Sequence, residues 1–138
     1  MLPSLGIDII EVDRIRQALR RRPRLAARLF TETERAYCDR RGDPAPHYAA
    51  RFAAKEATAK AVGRWLRWHD VEVLSERSGR PVLVLSGEAA ALAQVARGAR
   101  LLLSLSHSRD YAVACVLLLA PQEIAGHDEN LPPGSQRA

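Results

Sequence analysis

The segment Arg51–Gly63 constrains this chain most, because its alanine-rich sequence, RFAAKEATAKAVG, favours a helix. Residues four apart in a helix share one face, so Glu56 and Lys60 are neighbours one turn apart. We predict the longest helix of the chain from His47 to Val62, with Gly63 as its C-terminal cap. An acid and a cation held in this way can serve an anionic substrate through a bridging metal. They can also form an ordinary ion pair worth roughly a few tenths of a kcal/mol.

The length and composition predict one globular domain. With 138 residues, of which 47% are hydrophobic, the chain can bury a core of its own. We place the domain at residues 1–120 and expect the polar tail, residues 121–138, to be disordered. No apolar run approaches the roughly 20 residues that span a bilayer, and no signal peptide is apparent. Two cysteines are too few for a disulfide framework, so we expect a cytoplasmic protein that does not bind membranes.

Residue patterns predict an α+β fold with antiparallel strands at its C-terminal end. Strands are predicted at residues 5–12, around Val71 and Val73, and at residues 82–85, 101–106 and 111–119, the last two forming a hairpin through residues 108–110. Other helices are predicted after Asp13 as a cap, around Leu25–Phe30, from the Thr31–Glu34 capping box to about Arg41, and from Ser86 or Gly87 to Gly98. Because helices and strands alternate irregularly, α+β is the better class.

Asp8 is a candidate site residue in the first strand. Its side chain lies on the strand face opposite Ile7 and Ile9. The residues alone leave two interpretations open. Asp8 is either an acid on a solvated sheet face or a ligand of Mg²⁺, which proteins usually hold with one or two carboxylates together with substrate phosphates.

The cations are distributed unevenly in this chain of net charge +5. Its only lysines are Lys55 and Lys60. In a chain that otherwise uses arginine, one of these lysines fits a position that needs a compact ammonium, although chance explains the pattern equally well. The stretch from Arg14 to Arg28 is rich in arginine and contains no acid, which indicates an anionic partner. Nucleic acid is one candidate, but aromatic interleaving and a nucleic-acid motif are both missing from the sequence.

Three blocks of the sequence together resemble a known family. They are GIDIIEVDR at residues 6–14, the Arg51–Gly63 helix, and SLSHSRDYAVA at residues 104–114. In this order and spacing they resemble the 4'-phosphopantetheinyl transferases of the holo-acyl-carrier-protein synthase type, over roughly residues 4–119. The resemblance implies that family's fold, an antiparallel sheet packed with a long central helix. It also implies a short form that assembles as a homotrimer with active sites between subunits.

The resemblance implies a reaction and its partners. A 4'-phosphopantetheine group would pass from coenzyme A to a serine hydroxyl of an apo acyl carrier protein, releasing 3',5'-ADP, in a Mg²⁺-dependent step of fatty acid biosynthesis. Neither nucleic acid nor a membrane is expected as a partner. Which carrier is modified, and whether Mg²⁺ or Mn²⁺ is used, stay open.

The resemblance also carries roles onto single positions. Asp8 and Glu56 would hold Mg²⁺, and Glu56 or a water on the metal would take the serine proton. Lys60 would neutralise charge on the transferring phosphate, which makes Glu56 and Lys60 the catalytic pair. The residues expected to bind coenzyme A are Arg51, Lys60, Arg80, Pro81 and His107. The residues expected to bind the carrier are Arg14, Arg20, Arg21 and Arg24.

The chain departs from the family pattern at two places. Many relatives have a glycine-rich loop after the Lys60-type helix, but residues 63–69 read GRWLRWH, with two tryptophans. Trp65 and Trp68 belong to the core or an interface, or else stack on adenine. Arg80 replaces the lysine of the family's Gly-Lys-Pro turn. The altered loop leaves open a catalytically inactive homologue that binds coenzyme A. The arginine-rich stretch leaves open a basic nucleic-acid-binding module.

Overall fold

The computed structural model describes residues 2–121. Apart from Pro121, the tail that we expected to be disordered lies outside the described residues. The elements, in chain order, are β1 (Ser4–Glu11), α1 (Val12–Arg21), α2 (Leu25–Leu29), α3 (Glu32–Asp39), α4 (Ala45–Val62), β2 (Val71–Ser75), β3 (Pro81–Leu85), α5 (Gly87–Leu92), β4 (Arg100–His107) and β5 (Tyr111–Leu119).

The strands form two antiparallel sheets. In the larger sheet β5 lies between β1 and β4, and in the smaller one β2 pairs with β3. The strands β4 and β5 are joined by the short loop Ser108–Asp110, so the predicted hairpin is confirmed. Helices and antiparallel sheets together confirm the α+β class. Within residues 2–121, every helix is too short or too polar to cross a membrane.

The long helix α4 packs against β1 and β5 of the larger sheet. Its contact side carries small side chains, since the buried residues of α4 include Ala49, Ala50, Ala53, Ala54, Ala57 and Ala61. The closest approach is at Gly6 of β1, where an added Cβ would stand only 1.8 Å from the carbonyl oxygen of Ala57. Glycine and alanine therefore let the helix and the strand come close together, which brings Asp8 next to α4.

The opposite side of the larger sheet is apolar and uncovered in the single chain. Leu5, Ile7 and Ile9 of β1 are 62–67% exposed. Their partners across β5 are Leu117, Cys115 and Val113, which are half-buried. We call these six residues the outer sheet face.

Two local predictions at helix ends are confirmed. The side chain of Thr31 accepts a hydrogen bond from the backbone N–H of Glu34, and the Glu34 carboxylate accepts one from the backbone N–H of Thr31, as a capping box requires. Gly63 ends α4 in the left-handed conformation at φ 84°, which glycine adopts without a steric cost. The helix begins at Ala45, two residues before the predicted start.

Two other local predictions are wrong. Asp13 does not cap α1, because the helix already begins at Val12 and the Asp13 carboxylate accepts hydrogen bonds from Arg16 and Gln17. The helix predicted to reach Gly98 ends at Leu92. Gln94 has a φ of 61°, in the left-handed region, and a short 3₁₀ turn follows. Alanine content alone did not reveal this break.

Candidate active site

Asp8, Glu56 and Lys60 meet where β1 crosses α4. The Lys60 ammonium donates to an Asp8 carboxylate oxygen at 3.1 Å and to the Ile7 carbonyl at 3.0 Å. The Asp8 side chain is 16% exposed and the Lys60 side chain 55% exposed. Asp8 therefore faces the helix, and the interpretation as an acid on a solvated sheet face is wrong. The apolar neighbours of Asp8 are the exposed residues instead.

The half-buried Glu56 carboxyl lies close to that pair. Burial raises its pKa, and the negative charge of Asp8 raises it further, while Lys60 opposes the shift. Within residues 2–121, Glu56 forms neither a hydrogen bond nor an ion pair, so its carboxyl is available to a ligand. A carboxyl with a raised pKa binds a proton more readily, which suits general-base chemistry.

A cavity of about 600 Å³ opens beside these carboxylates. Asp8, Glu11, Glu56 and Arg14 supply its charged groups. Its apolar lining includes Ile15, Leu25, Leu29 and Phe52. The cavity therefore suits a ligand that carries charge near one part and an apolar segment along the rest.

The two carboxylates fit a magnesium ion. The described residues contain no cluster of three or more His, Cys, Asp or Glu side chains that could hold a metal without help. Mg²⁺ does not need one, because one or two carboxylates and substrate phosphates usually suffice. The approach of Asp8 and Glu56, close enough for one charge to raise the pKa of the other, provides that pair.

A second group of predicted site residues lies around His47. The Arg51 guanidinium stands 4.0 Å from the centre of the Tyr37 ring and donates a long hydrogen bond of 3.5 Å to the His47 carbonyl. The His107 ring lies edge-on to His47 at 5.6 Å. Arg51 is only 4% exposed and is therefore not a surface arginine. Its Nε is buried and has no hydrogen-bond partner in the part of the chain that the structure describes.

Arg80 and Pro81 form a third group. They line a depression of about 300 Å³ between the β2–β3 hairpin and β4, together with Glu76 and Arg100. Neither residue lines the cavity that contains Asp8 and Glu56. In the single chain, the residues predicted to bind coenzyme A are thus distributed over three places.

The predicted carrier-binding arginines are accessible. Arg14, Arg20, Arg21 and Arg24 are all exposed, and Arg14 also lines the cavity beside Asp8. Arg16 on the same helix is instead engaged by Asp13 and Asp43. These four exposed cations, of which only Arg14 lines the cavity, would attract an acidic partner to this helical segment.

Lys55 has a role that the sequence did not reveal. Its ammonium is buried and donates to the Glu34 carboxylate at 2.7 Å and to the carbonyls of Trp68 and Val71 at 2.7 and 2.6 Å. This is the lysine whose surroundings demand a compact ammonium. The rarity of lysine in the sequence was the only signal of this role, and it did not identify Glu34 as the partner of Lys55.

The two tryptophans after α4 differ in their surroundings. Trp68 stacks on Phe52, with ring centres 5.4 Å apart, and is half-buried against the core. Trp65 is 71% exposed and borders a small depression that also includes Glu56. The core interpretation therefore holds for Trp68 and fails for Trp65.

The sequence matches a family profile over nearly all of its described part. Residues 4–116 match the profile of the 4'-phosphopantetheinyl transferase superfamily. A holo-[acyl-carrier-protein] synthase of Koribacter versatilis is 46% identical over 86% of this chain and 98% of its own length. One from Syntrophotalea carbinolica is 48% identical over 84% of this chain and 94% of its own length.

Solved structures agree with the sequence comparison. A holo-(acyl-carrier-protein) synthase from Bacillus anthracis in complex with CoA (3',5'-ADP) superposes with a TM-score of 0.69 at 36% identity, covering 83% of this chain and 94% of that one. A CoA complex named for Chronobacterium ammoniagenes gives a TM-score of 0.75 at 33% identity, covering 86% and 97%.

Proposed function

The chain belongs to the 4'-phosphopantetheinyl transferase superfamily, and we propose that it moves the 4'-phosphopantetheine group of coenzyme A onto a serine hydroxyl of an apo acyl carrier protein, releasing 3',5'-ADP. This is the reaction of the holo-[acyl-carrier-protein] synthases that it resembles. The observation that carries the proposal is the meeting of Asp8, Glu56 and Lys60 beside an open cavity.

The reaction needs charge neutralisation and positioning more than a covalent nucleophile. Glu56 accepts the proton of the attacking serine, for which its raised pKa suits it. Lys60, with its exposed ammonium, turns towards the phosphate and neutralises charge there. Asp8 and Glu56 would hold Mg²⁺, which when bound would neutralise charge on the pyrophosphate. The serine oxygen bonds to the β-phosphorus while the bond from that phosphorus to the bridging oxygen breaks.

The coenzyme A phosphates need further cations, and we assign them to Arg51, His107 and Arg80, with Pro81 shaping the turn. Arg51 has a buried Nε with no hydrogen-bond partner among residues 2–121. His107, at an exposed strand end, contacts the ring of His47, whose carbonyl accepts from Arg51. Because these groups lie apart from the Glu56 cavity in one chain, we infer that neighbouring subunits complete each site. The uncovered outer sheet face, apolar and broad, is the surface on which a homotrimer would assemble.

The carrier docks on the arginines of the first helical segment. Arg14 lies at the cavity, and Arg20, Arg21 and Arg24 extend the basic surface away from it. An acidic carrier would be steered to this surface and would bring its serine to Glu56. We propose a carrier of fatty acid biosynthesis as the acceptor and the cytoplasm as the compartment, in keeping with two free cysteines.

The direct test is to incubate the protein with coenzyme A, Mg²⁺ and an apo fatty-acid carrier and to weigh the carrier by intact mass spectrometry. We expect a gain of one phosphopantetheine that EDTA abolishes and that Glu56→Gln slows by at least about 100-fold. The control is Glu88→Gln, which alters an exposed acid at the start of α5. This variant should react normally.

The alternatives give different results. Coenzyme A binding without transfer to any of a panel of fatty-acid, polyketide and peptide-synthetase carriers would indicate an inactive homologue. Nucleic-acid binding that survives Asp8→Ala and Glu56→Ala, in a protein that modifies none of these carriers, would indicate a basic binding module instead. Either result would overturn the proposed reaction.

A further inference from the structure

Lys55 precedes Glu56 directly in α4, yet it cannot act on the substrate. Its side chain is 1% exposed. The three protons of an ammonium match three acceptors within hydrogen-bond distance: Glu34 at 2.7 Å, Trp68 at 2.7 Å and Val71 at 2.6 Å. The ammonium therefore has no donor left for a phosphate, in contrast to the exposed ammonium of Lys60.

The partner carboxylate is equally saturated. One Glu34 oxygen accepts from Lys55 and from the backbone N–H of Thr31, and the other accepts from the N–H of Val73 at 3.0 Å. Glu34 is 0% exposed in its side chain. The pair thus joins four parts of the chain: the start of α3, the middle of α4, the turn before β2, and β2 itself.

The Lys55–Glu34 pair also affects the direction of the Glu56 side chain. Successive residues of a helix point about 100° apart, so the direction of Lys55 fixes the direction of Glu56. On the other side of α4, Lys60 is bonded to β1 at Ile7 and Asp8. The helix is therefore held against rotation from two sides, one buried and one at the cavity.

Near Glu56 the other buried contacts of α4 come mostly from small side chains, because Tyr48, which donates to Asp39 at 2.6 Å, lies about two turns away. The buried side of α4 is mostly alanine, and methyl groups interlock weakly with their neighbours compared with long side chains. A buried ion pair is also a poor source of net stability, since apolar residues of similar volume often do as well. A role in orientation explains why a charged pair is present here.

We propose that the buried Lys55–Glu34 pair is a positioning device, which sets the rotation of α4 and so aims the Glu56 carboxylate at Asp8. The proposal rests on the proposed function in that it takes Glu56 as metal ligand and base. Lys55 and Glu34 contact neither substrate nor metal and act only through the direction of Glu56.

The test uses Lys55→Met, Glu34→Gln and the combined variant, with Leu118→Ala as a control in the sheet core. For each we would measure thermal unfolding, the steady-state kcat and KM for coenzyme A, and Mn²⁺ binding by electron paramagnetic resonance without turnover. Loss of a group that orients a metal ligand typically costs about 10- to 100-fold in affinity or activity. We therefore expect kcat and Mn²⁺ affinity to fall by at least about tenfold in the variants of the pair, with the KM for coenzyme A changed less than about threefold.

The control separates orientation from general destabilisation. Leu118 is buried at the far end of β5, paired with Ser4. Leu118→Ala should lower the melting temperature but retain kcat and Mn²⁺ affinity. The combined variant should be better folded than either single one, because it leaves no unpaired buried charge, and should still bind Mn²⁺ poorly.

Three results would overturn the proposal. The combined variant could be folded and match the unaltered protein in kcat and Mn²⁺ affinity. Leu118→Ala could lose both properties as strongly as the pair variants do. All variants of the pair could fail to fold, which would make the pair purely structural. If the unaltered protein modifies no carrier, the proposed function fails instead, and the Mn²⁺ titration alone decides on the positioning role.

Discussion

Lys60 and Asp8, 52 residues apart in the chain, are joined by an ion pair of 3.1 Å. The same ammonium also bonds to the Ile7 carbonyl. These two hydrogen bonds tie the end of α4 at the candidate site to β1 and place Glu56 beside Asp8. In the proposed reaction Lys60 would exchange these partners for a substrate phosphate, since its side chain is more than half exposed.

We expect Lys60→Met to lower kcat by about 100-fold, the loss typical when one preorganised donor to a developing charge is removed. Lys60→Arg should retain more activity because it keeps the charge, but not all of it, because a planar fork replaces a compact ammonium. Steady-state kinetics at saturating coenzyme A would measure both. Equal kcat values for the Met and Arg variants would show that the positive charge at this position does not determine the rate.

Gly6→Ala should destabilise the fold and reduce activity together. An alanine Cβ would overlap the Ala57 carbonyl at 1.8 Å, and such overpacking costs about 1–3 kcal/mol or more because helix and strand must separate. Gly42→Ala is the matched control, since nothing lies within 4 Å of its added Cβ. Urea unfolding of both variants would measure the difference. A Gly6→Ala protein as stable as Gly42→Ala would contradict the close approach.

Arg14→Glu should raise the KM for the carrier by about five- to tenfold, because a charge beside the cavity is reversed, while the KM for coenzyme A changes little. The variant should also make the carrier KM less sensitive to salt. The control is Arg97→Glu, which reverses the charge of an exposed arginine in the short 3₁₀ turn. The proposed docking surface would be wrong if both reversals had the same effect on the carrier KM.

Ile7→Asp should separate the proposed homotrimer into single chains. Ile7 is 63% exposed in one chain, so the substitution would alter the stability of a monomer by only about 0.5 kcal/mol. Within a covered interface it would bury a charge and prevent assembly. Light scattering after size exclusion would give the mass. Val84→Asp, at a residue 43% exposed on the smaller sheet, is the control. A single-chain mass for the unaltered protein would refute the homotrimer.

His47 should make the fold less stable in mild acid. Burial lowers its pKa, and the positive charges of His107, Arg41 and Arg51 lower it further, while Asp43 opposes them. The unfolded chain therefore binds a proton at a pH where folded His47 does not, so the free energy of unfolding falls as the pH drops through the ordinary histidine range. His47→Gln should lose less stability than the unaltered protein between about pH 7.5 and 5. Equal losses, measured by urea unfolding, would count against this cause.

The local elements followed from the sequence because their signals are local. The Thr31–Glu34 capping box, the Gly63 cap and the hairpin at Ser108–Asp110 each depend on residues close together in the chain. The two wrong local predictions also arose from the use of local signals, because the features that contradict them leave no mark in the nearby sequence. Nothing near Asp13 showed that the helix begins before it, and nothing in an alanine-rich segment showed that Gln94 would turn left-handed.

The sequence by itself determined the class of fold, the family, and the placement of Glu56 and Lys60 one turn apart, since composition, motif spacing and helix periodicity need no tertiary contact. Only the tertiary structure decided that Asp8 faces the helix while Ile7 faces outwards, because an alternating strand does not reveal which of its faces is covered. It likewise decided that Arg51 is buried and that Lys55 pairs with Glu34. Those outcomes depend on which distant segments pack together, and the burial of a charge is settled by partners that no local pattern names.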